Sequence, residues 1–246
     1  MPTTAELMNA LPEPIGQVTD QPPGLLPELL EDWALRPVKP TWLFEGRYEG
    51  YWRSNYKPED WGEWQVRQQA YQTVMAGAFG HTYGHERVFG FGTDGVDWKT
   101  HLDAPGARSM THLAALMNHF GAEELLSRRP APELIAGDVG HAERLKSNWI
   151  GAASLADGRV VIVYSASGRP IAVRLDQMPP GRYSGWWFNP RTGRWSAERG
   201  APEVASAKPF ARDIGGGPGA LVREFTPPTK GDGNDWLLVL APRETL

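Results

Sequence analysis

The strictest limit on what this chain can fold into is a change in its hydrophobic period near Pro130. Before that point apolar residues recur at helical spacing in three places and at strand spacing in two. Leu25, Leu26, Leu29, Leu30 and Trp33 predict a helix that Pro37 and Pro40 end. Thr41 to Phe44 reads as a short strand. Val66, Ala70, Val74 and Ala78, flanked by Tyr71 and Met75, predict an amphipathic helix, which Asp60 and Glu63 can cap. From Ala78 to His85 small residues alternate with the rings of Phe79, His81, Tyr83 and His85, and period two predicts a strand with all four rings on one face. Ser109 can then cap a helix whose apolar side is Met110, Leu113, Leu116, Met117 and Phe120. The order over residues 25–120 is helix, strand, helix, strand, helix.

Past Pro130 the runs are short and β-rich: Val160 to Tyr164, Ile171 to Leu175, Gly185 to Phe188, Leu221 to Phe225 and Trp236 to Leu240. Turn signals such as Ser167-Gly168-Arg169-Pro170 and Asn189-Pro190-Arg191-Thr192-Gly193 separate them, which predicts an antiparallel β-sandwich. Gly215 to Gly217 reads as a flexible turn. Residues 1–24, with five prolines, read as an irregular lead with a strand fragment near Ile15 to Val18. The expected division is therefore residues 1–130 and 131–246.

Composition removes several function classes. A formal charge of -4 without a long Lys/Arg run leaves no electrostatic footprint for nucleic acid or an anionic membrane, and neither is an expected partner. The absence of cysteine excludes disulfides, thiolate metal sites and thiol nucleophiles. Met1 to Gly24 lacks the pattern of a signal peptide and no apolar run has membrane-spanning length, so the expectation is a soluble chain, cytoplasmic by default. No cofactor is expected. Eleven tryptophans supply flat indole faces of the kind that stack on sugars.

Alternating strands and helices with polar residues at a strand's carboxyl end is the arrangement of a (β/α) barrel, whose catalytic side chains come from strand ends. Glu45 sits at such an end. A carboxylate there can be the nucleophile or base of a glycosidase, which needs two carboxyl groups flanking the scissile bond. The plain alternative is a solvated acid at a loop start, and it applies to Glu49 too. His81, Tyr83 and His85 can bond sugar hydroxyls or orient the carboxylate; packed core rings are the alternative. A metal site would need a third ligand at a telling spacing, and none accompanies them. Tyr48, Trp52, Trp61 and Trp98 are candidate sugar contacts or loop packing. Trp186 and Trp187 are adjacent on one strand and must point to opposite faces, so one is left for solvent, a ligand or the interface with the preceding part.

The run Lys39-Pro40-Thr41-Trp42-Leu43-Phe44-Glu45-Gly46-Arg47-Tyr48-Glu49, followed by Val66-Arg67-Gln68-Gln69-Ala70-Tyr71 and Ala76-Gly77-Ala78-Phe79-Gly80-His81-Thr82-Tyr83-Gly84-His85, resembles the apiosidase-like glycoside hydrolases. Pro105-Gly106-Ala107, Met110-Thr111-His112-Leu113 and Trp186-Trp187-Phe188-Asn189-Pro190-Arg191-Thr192-Gly193 extend the resemblance, the last to the family's terminal β-sandwich, labelled a collagen-binding domain. The resemblance implies a barrel that cleaves glycosidic bonds in plant cell-wall type glycans with retention, and it matches Glu45 to the nucleophile. The surroundings differ: Leu43-Phe44 and Gly46 stand where the family tends to have Asp-Gly and Pro, and Glu86 to Gly90 where it continues with Trp and Gln. It also implies that the strand before Glu45 is the seventh of eight. A strand–helix unit takes about 30 residues and a full barrel about 250, whereas only 44 residues precede Glu45. The expected fold is α/β plus all-β: the C-terminal portion of an incomplete (β/α)8 barrel, then an antiparallel β-sandwich. The expected partners are a carbohydrate substrate and the missing N-terminal barrel portion, which would carry the acid/base. A non-catalytic carbohydrate- or collagen-binding module is the other reading.

Overall fold

The computed structural model describes residues 25–51, 57–142, 147–196 and 208–242. The expected strand fragment near Ile15 to Val18 and the ring residues Trp52 and Tyr56 lie outside them. Helix α1 (Leu25–Ala34) leads to strand β1 (Trp42–Leu43), helix α2 (Glu63–Met75), strand β2 (Gly80–His81), short helix α3 (Glu86–Phe89) and helices α4 (Pro105–His119) and α5 (Ala122–Leu126). The order matches the periodicity of the sequence. No described helix is long and apolar enough to cross a membrane.

β1 and β2 are parallel, with Trp42 opposite Gly80 and Leu43 opposite His81. The ladder then opens and closes again at a bridge between Glu49 and His85. Residues 44–48 bulge from one side of the gap and only 82–84 from the other. The extended run predicted for Ala78 to His85 is thus cut to two paired residues and one bridge. Its rings do not share one environment either, since Phe79 is 60% exposed against Trp42 while His85 is buried. The small residues between the rings admit neighbours: a Cβ on Gly84 would lie 2.3 Å from the Tyr48 ring.

Two helix predictions need correction. α2 is not amphipathic, because Val66 to Met75 is buried on every side, polar residues included. Several of the polar side chains have counterparts: Arg67 pairs with Asp235, Gln72 donates to Ser147 Oγ at 2.9 Å, and Thr73 donates to its own helix at Gln69 O. The helix ends before Ala78. Its start is closed by Gly62 N donating to Gln65 Oε1, while Asp60 instead accepts from Lys57 N in the preceding turn. α4 begins four residues before Ser109, at Pro105, whose fixed φ suits a first helical position. Ser109 is an interior residue, fully buried.

The β-rich part begins with β3 (Arg129–Pro130) and continues with β4 (Ile150–Leu155), β5 (Val160–Ser165), β6 (Ile171–Arg174), β7 (Gly181–Asn189), β8 (Arg194–Ser196), β9 (Ala211–Gly216), β10 (Val222–Phe225) and β11 (Trp236–Ala241). The main sheet runs β3-β4-β5-β11-β7-β8, with β9 also on β7, and β6 pairs separately with β10; all these pairings are antiparallel. Alternation along the strands builds two cores. Ile162, Tyr164, Trp186 and Val239 face Ala70, Tyr71 and Leu116 of the helices, whereas Val161, Val163, Trp187 and Leu238 face Ile171, Val173 and Phe225 of the β6–β10 pair. Trp186 and Trp187, 1% and 3% exposed, therefore take opposite faces, and Trp186 goes to the interface with the helices. Gly215 and Gly216 are not a turn; they end β9, and a Cβ on Gly216 would lie 2.6 Å from the Tyr183 ring.

Candidate active site

The gap in the β1–β2 ladder determines where the acids go. Leu43 and Glu49 are both held to the second strand by backbone bonds: Thr82 N donates to Leu43 O at 3.0 Å, Glu49 N to Gly84 O at 2.9 Å, and Glu86 N to Glu49 O at 2.9 Å. The segment between them leaves the sheet and carries Glu45 outward, where it is exposed. Tyr48 Oη donates to Glu45 Oε1 at 2.7 Å, so the two predicted site residues form a pair. The loop lies close on α2, for a Cβ on Gly46 would fall 2.2 Å from Gln69 Oε1.

Glu49 has a different environment. Its buried Oε2 accepts from Tyr83 Oη at 2.6 Å and from Gly106 N at 2.9 Å. α4 has no capping side chain of its own at Ala104, and Glu49 supplies one from a distant loop. Three side chains close on the Gly106 backbone with no room to spare: a Cβ on Gly106 would lie 2.4 Å from Glu49 Oε2, 2.7 Å from Val66 and 2.9 Å from Tyr83. Burial, then the hydrogen bond to Glu49 and its charge, push the Tyr83 phenol well above its ordinary range.

His85 stacks on His101 with ring centroids 4.6 Å apart, and its Nδ1 accepts from Arg87 N at 3.1 Å. Burial, with the neighbouring His101 and Arg87 charges, lowers it to about 4. His81 is lowered to about 4 by burial, and neither of its ring nitrogens finds a hydrogen-bond partner among the described residues. Both imidazoles are neutral at physiological pH.

The predicted site residues thus fall into neighbouring groups. Glu45 pairs with Tyr48, Tyr83 pairs with Glu49, His85 pairs with His101, and His81 lies in the ladder opposite Leu43. Trp52 lies outside the described residues. Trp61 is core packing, and Trp98 sits against Phe91 and Lys99. No group of three His, Asp or Glu among the described residues is placed to hold a metal ion. Sequence reasoning undervalued Glu49 and missed Gly106 and His101. The available signal was Ala104-Pro105-Gly106, a helix start with no capping side chain, which requires an acceptor from elsewhere.

Side chains just past the ends of parallel strands are where (β/α) barrels carry their site residues, and Glu45 lies two residues past β1. In comparisons with known families, residues 27–124 match "Apiosidase-like, catalytic domain" and residues 130–241 match "Putative collagen-binding domain of a collagenase". Each match is a similarity of that stretch of the chain to the family described. Two solved structures are similar in fold, one described as a glycoside hydrolase (TM-score 0.70, 24% identity) and one as a glycoside hydrolase family 5 from Bacteroides vulgatus (TM-score 0.68, 24% identity). Each match covers 89% of this chain, but only 46% and 44% of the respective solved chains, so this chain spans less than half their length. No curated protein matches at a significant level.

Proposed function

We propose that the chain is the C-terminal portion of a glycoside hydrolase acting on plant cell-wall type glycans. Glu45 is its nucleophile, and the acid/base carboxylate comes from strand–helix units that precede it in the fold. The observation that carries this reading is the Tyr48–Glu45 pair on the loop expelled from the β1–β2 ladder. A phenol donating to a carboxylate holds it in one orientation, as a positioned nucleophile requires. In this reading residues 1–130 are a partial barrel and residues 131–246 a β-sandwich.

The need for further units is supported by the β1–β2 pair. Parallel strands are normally covered on both faces, yet Trp42, Phe44 and Phe79 beside this pair are 43%, 68% and 60% exposed. The nitrogens of His81, buried and without a hydrogen-bond partner among the described residues, lend the same support. One carboxylate alone does not complete a two-carboxyl mechanism, since the retaining geometry places the pair about 5 Å apart.

The test is hydrolysis of aryl glycosides and pectic glycans by the chain joined to, or mixed with, the N-terminal units of a matched glycoside hydrolase, compared with its Glu45→Gln form. Loss of at least about a thousandfold in kcat is expected. Equal turnover by the two proteins would remove Glu45 from the mechanism.

A further inference from the structure

The β-rich part meets the helices through more than apolar contact. Arg67 on α2 is 2% exposed, and every nitrogen of its guanidinium is used. Nε and Nη2 donate to the two oxygens of Asp235 at 2.9 and 2.8 Å, while Nη1 donates to Glu63 Oε1 at 2.6 Å and Ser109 Oγ at 3.3 Å. Asp235, just before β11, is 0% exposed and also accepts from Tyr164 Oη at 3.1 Å. Burial alone would lower the Arg67 pKa, but Asp235, with smaller help from Tyr164 and Glu63, outweighs it and keeps the guanidinium charged. Such a buried fork is a poor source of stability compared with an apolar pair of the same volume; its distinctive property is fixed geometry.

That geometry reaches the acids by two short routes. Along α2, Val66 touches the Glu49–Gly106 contact and Gln69 abuts Gly46, the neighbour of Glu45. Along α4, Ser109 lies one turn from Gly106, whose amide holds Glu49. Other contacts keep the parts together: Trp64 Nε1 donates to Ala166 O at 3.1 Å, and His112 Nδ1 lies 3.0 Å from Pro190 O in the Asn189-Pro190-Arg191-Thr192-Gly193 turn. Meanwhile both indoles of the Trp186–Trp187 pair are buried. The large apolar residues that the β-rich part exposes among the described residues, Val139, Leu221 and Val222, are aliphatic and offer no aromatic platform for a ligand.

We infer that Asp235 and Arg67 are positioning residues for the loop that carries Glu45, and that the β-rich part is a brace for α2 and α4. The catalytic meaning of that loop rests on the function proposed above; the brace itself does not. The test is amide hydrogen exchange on the full chain, comparing wild type, the Arg67→Met/Asp235→Leu double variant, and Val163→Ala as a control that loosens the opposite face of the sheet. In the double variant the amides of Glu49, Gly50 and Glu86 should exchange at least about tenfold faster while the β5–β11 ladder keeps its rates. In the control these loop amides should not respond selectively. Arg67→Lys, which keeps the charge and loses the fork, should give a smaller acceleration at the same amides and serves if the double variant does not fold. Unchanged loop exchange in the variants, or equal acceleration in the control, overturns the inference. Because exchange reads geometry and not hydrolysis, an inactive Glu45 would leave the brace standing, and a failed brace would leave Glu45 untouched.

Discussion

Replacing Glu49 separates its two contributions, charge and shape. In Glu49→Ala both hydrogen bonds to Oε2 vanish, and Gly106 N and Tyr83 Oη are left buried without that acceptor. Loss of a helix cap costs about 1 kcal/mol, and a buried hydroxyl stripped of its partner about 2 kcal/mol more. The sum, about 3 kcal/mol, corresponds to a fall in Tm of about 6–12 °C for a chain of this size. In Glu49→Gln the amide oxygen can occupy the same point and accept both bonds. Only charge assistance and the attraction to the α4 N-terminus are lost, about 1 kcal/mol or about 2–4 °C. Thermal melts followed by circular dichroism, with urea titrations at one temperature, measure both. A tyrosine ultraviolet titration adds a local check, since the Tyr83 phenol should ionise earlier once the Glu49 charge is gone, although burial still raises it. An alanine variant within about 1 °C of wild type would refute the cap, and equal losses in the two variants would show that charge alone matters.

Gly106→Ala should destabilise by about 2 kcal/mol, because overpacking against Glu49, Val66 and Tyr83 outweighs the intrinsic preference of helices for alanine; a stabilised variant in the same melts would mean that the three segments separate freely. Acidification should also weaken the fold. His81 and His85 are held near 4 against an ordinary 6.5, so the unfolded chain takes up their protons first as pH falls through 6.5. Their contribution is constant above that value, declines down to about 4, and amounts to at most about 3 kcal/mol for His81 and less for His85, which solvent screens in part. Urea midpoints across this window, with His81→Phe flattening the slope, provide the measurement; a slope unchanged by that substitution would rule His81 out.

Patterns set by one element's own residues were readable from the sequence. Leu25 to Trp33 formed the helix that its spacing required, and Trp186 and Trp187 took opposite faces because strand geometry permits nothing else. What escaped was set by contacts distant in sequence. Arg67 and Gln72 look like part of a solvated helix face until Asp235 and Ser147 cover them. Ser109 looks like a cap because nothing nearby shows that Glu49 performs that role one turn earlier. β4, Ile150-Gly151-Ala152-Ala153-Ser154-Leu155, carries small residues and weak strand preference, and pairing on both sides holds it in place. At the candidate site the position of Glu45 followed from strand-end logic, whereas the ladder gap that projects it depends on unequal insertions that no local pattern reveals.

A helix buried on every side from Val66 onward also restricts how such a chain can diversify. Exchange of the β-rich part between relatives at the apparent seam near Pro130 would separate Arg67 from Asp235 and leave half of its buried fork without an acceptor. Viable recombinants should instead join upstream of Glu63, so that α2 is inherited together with the sheet it lies against.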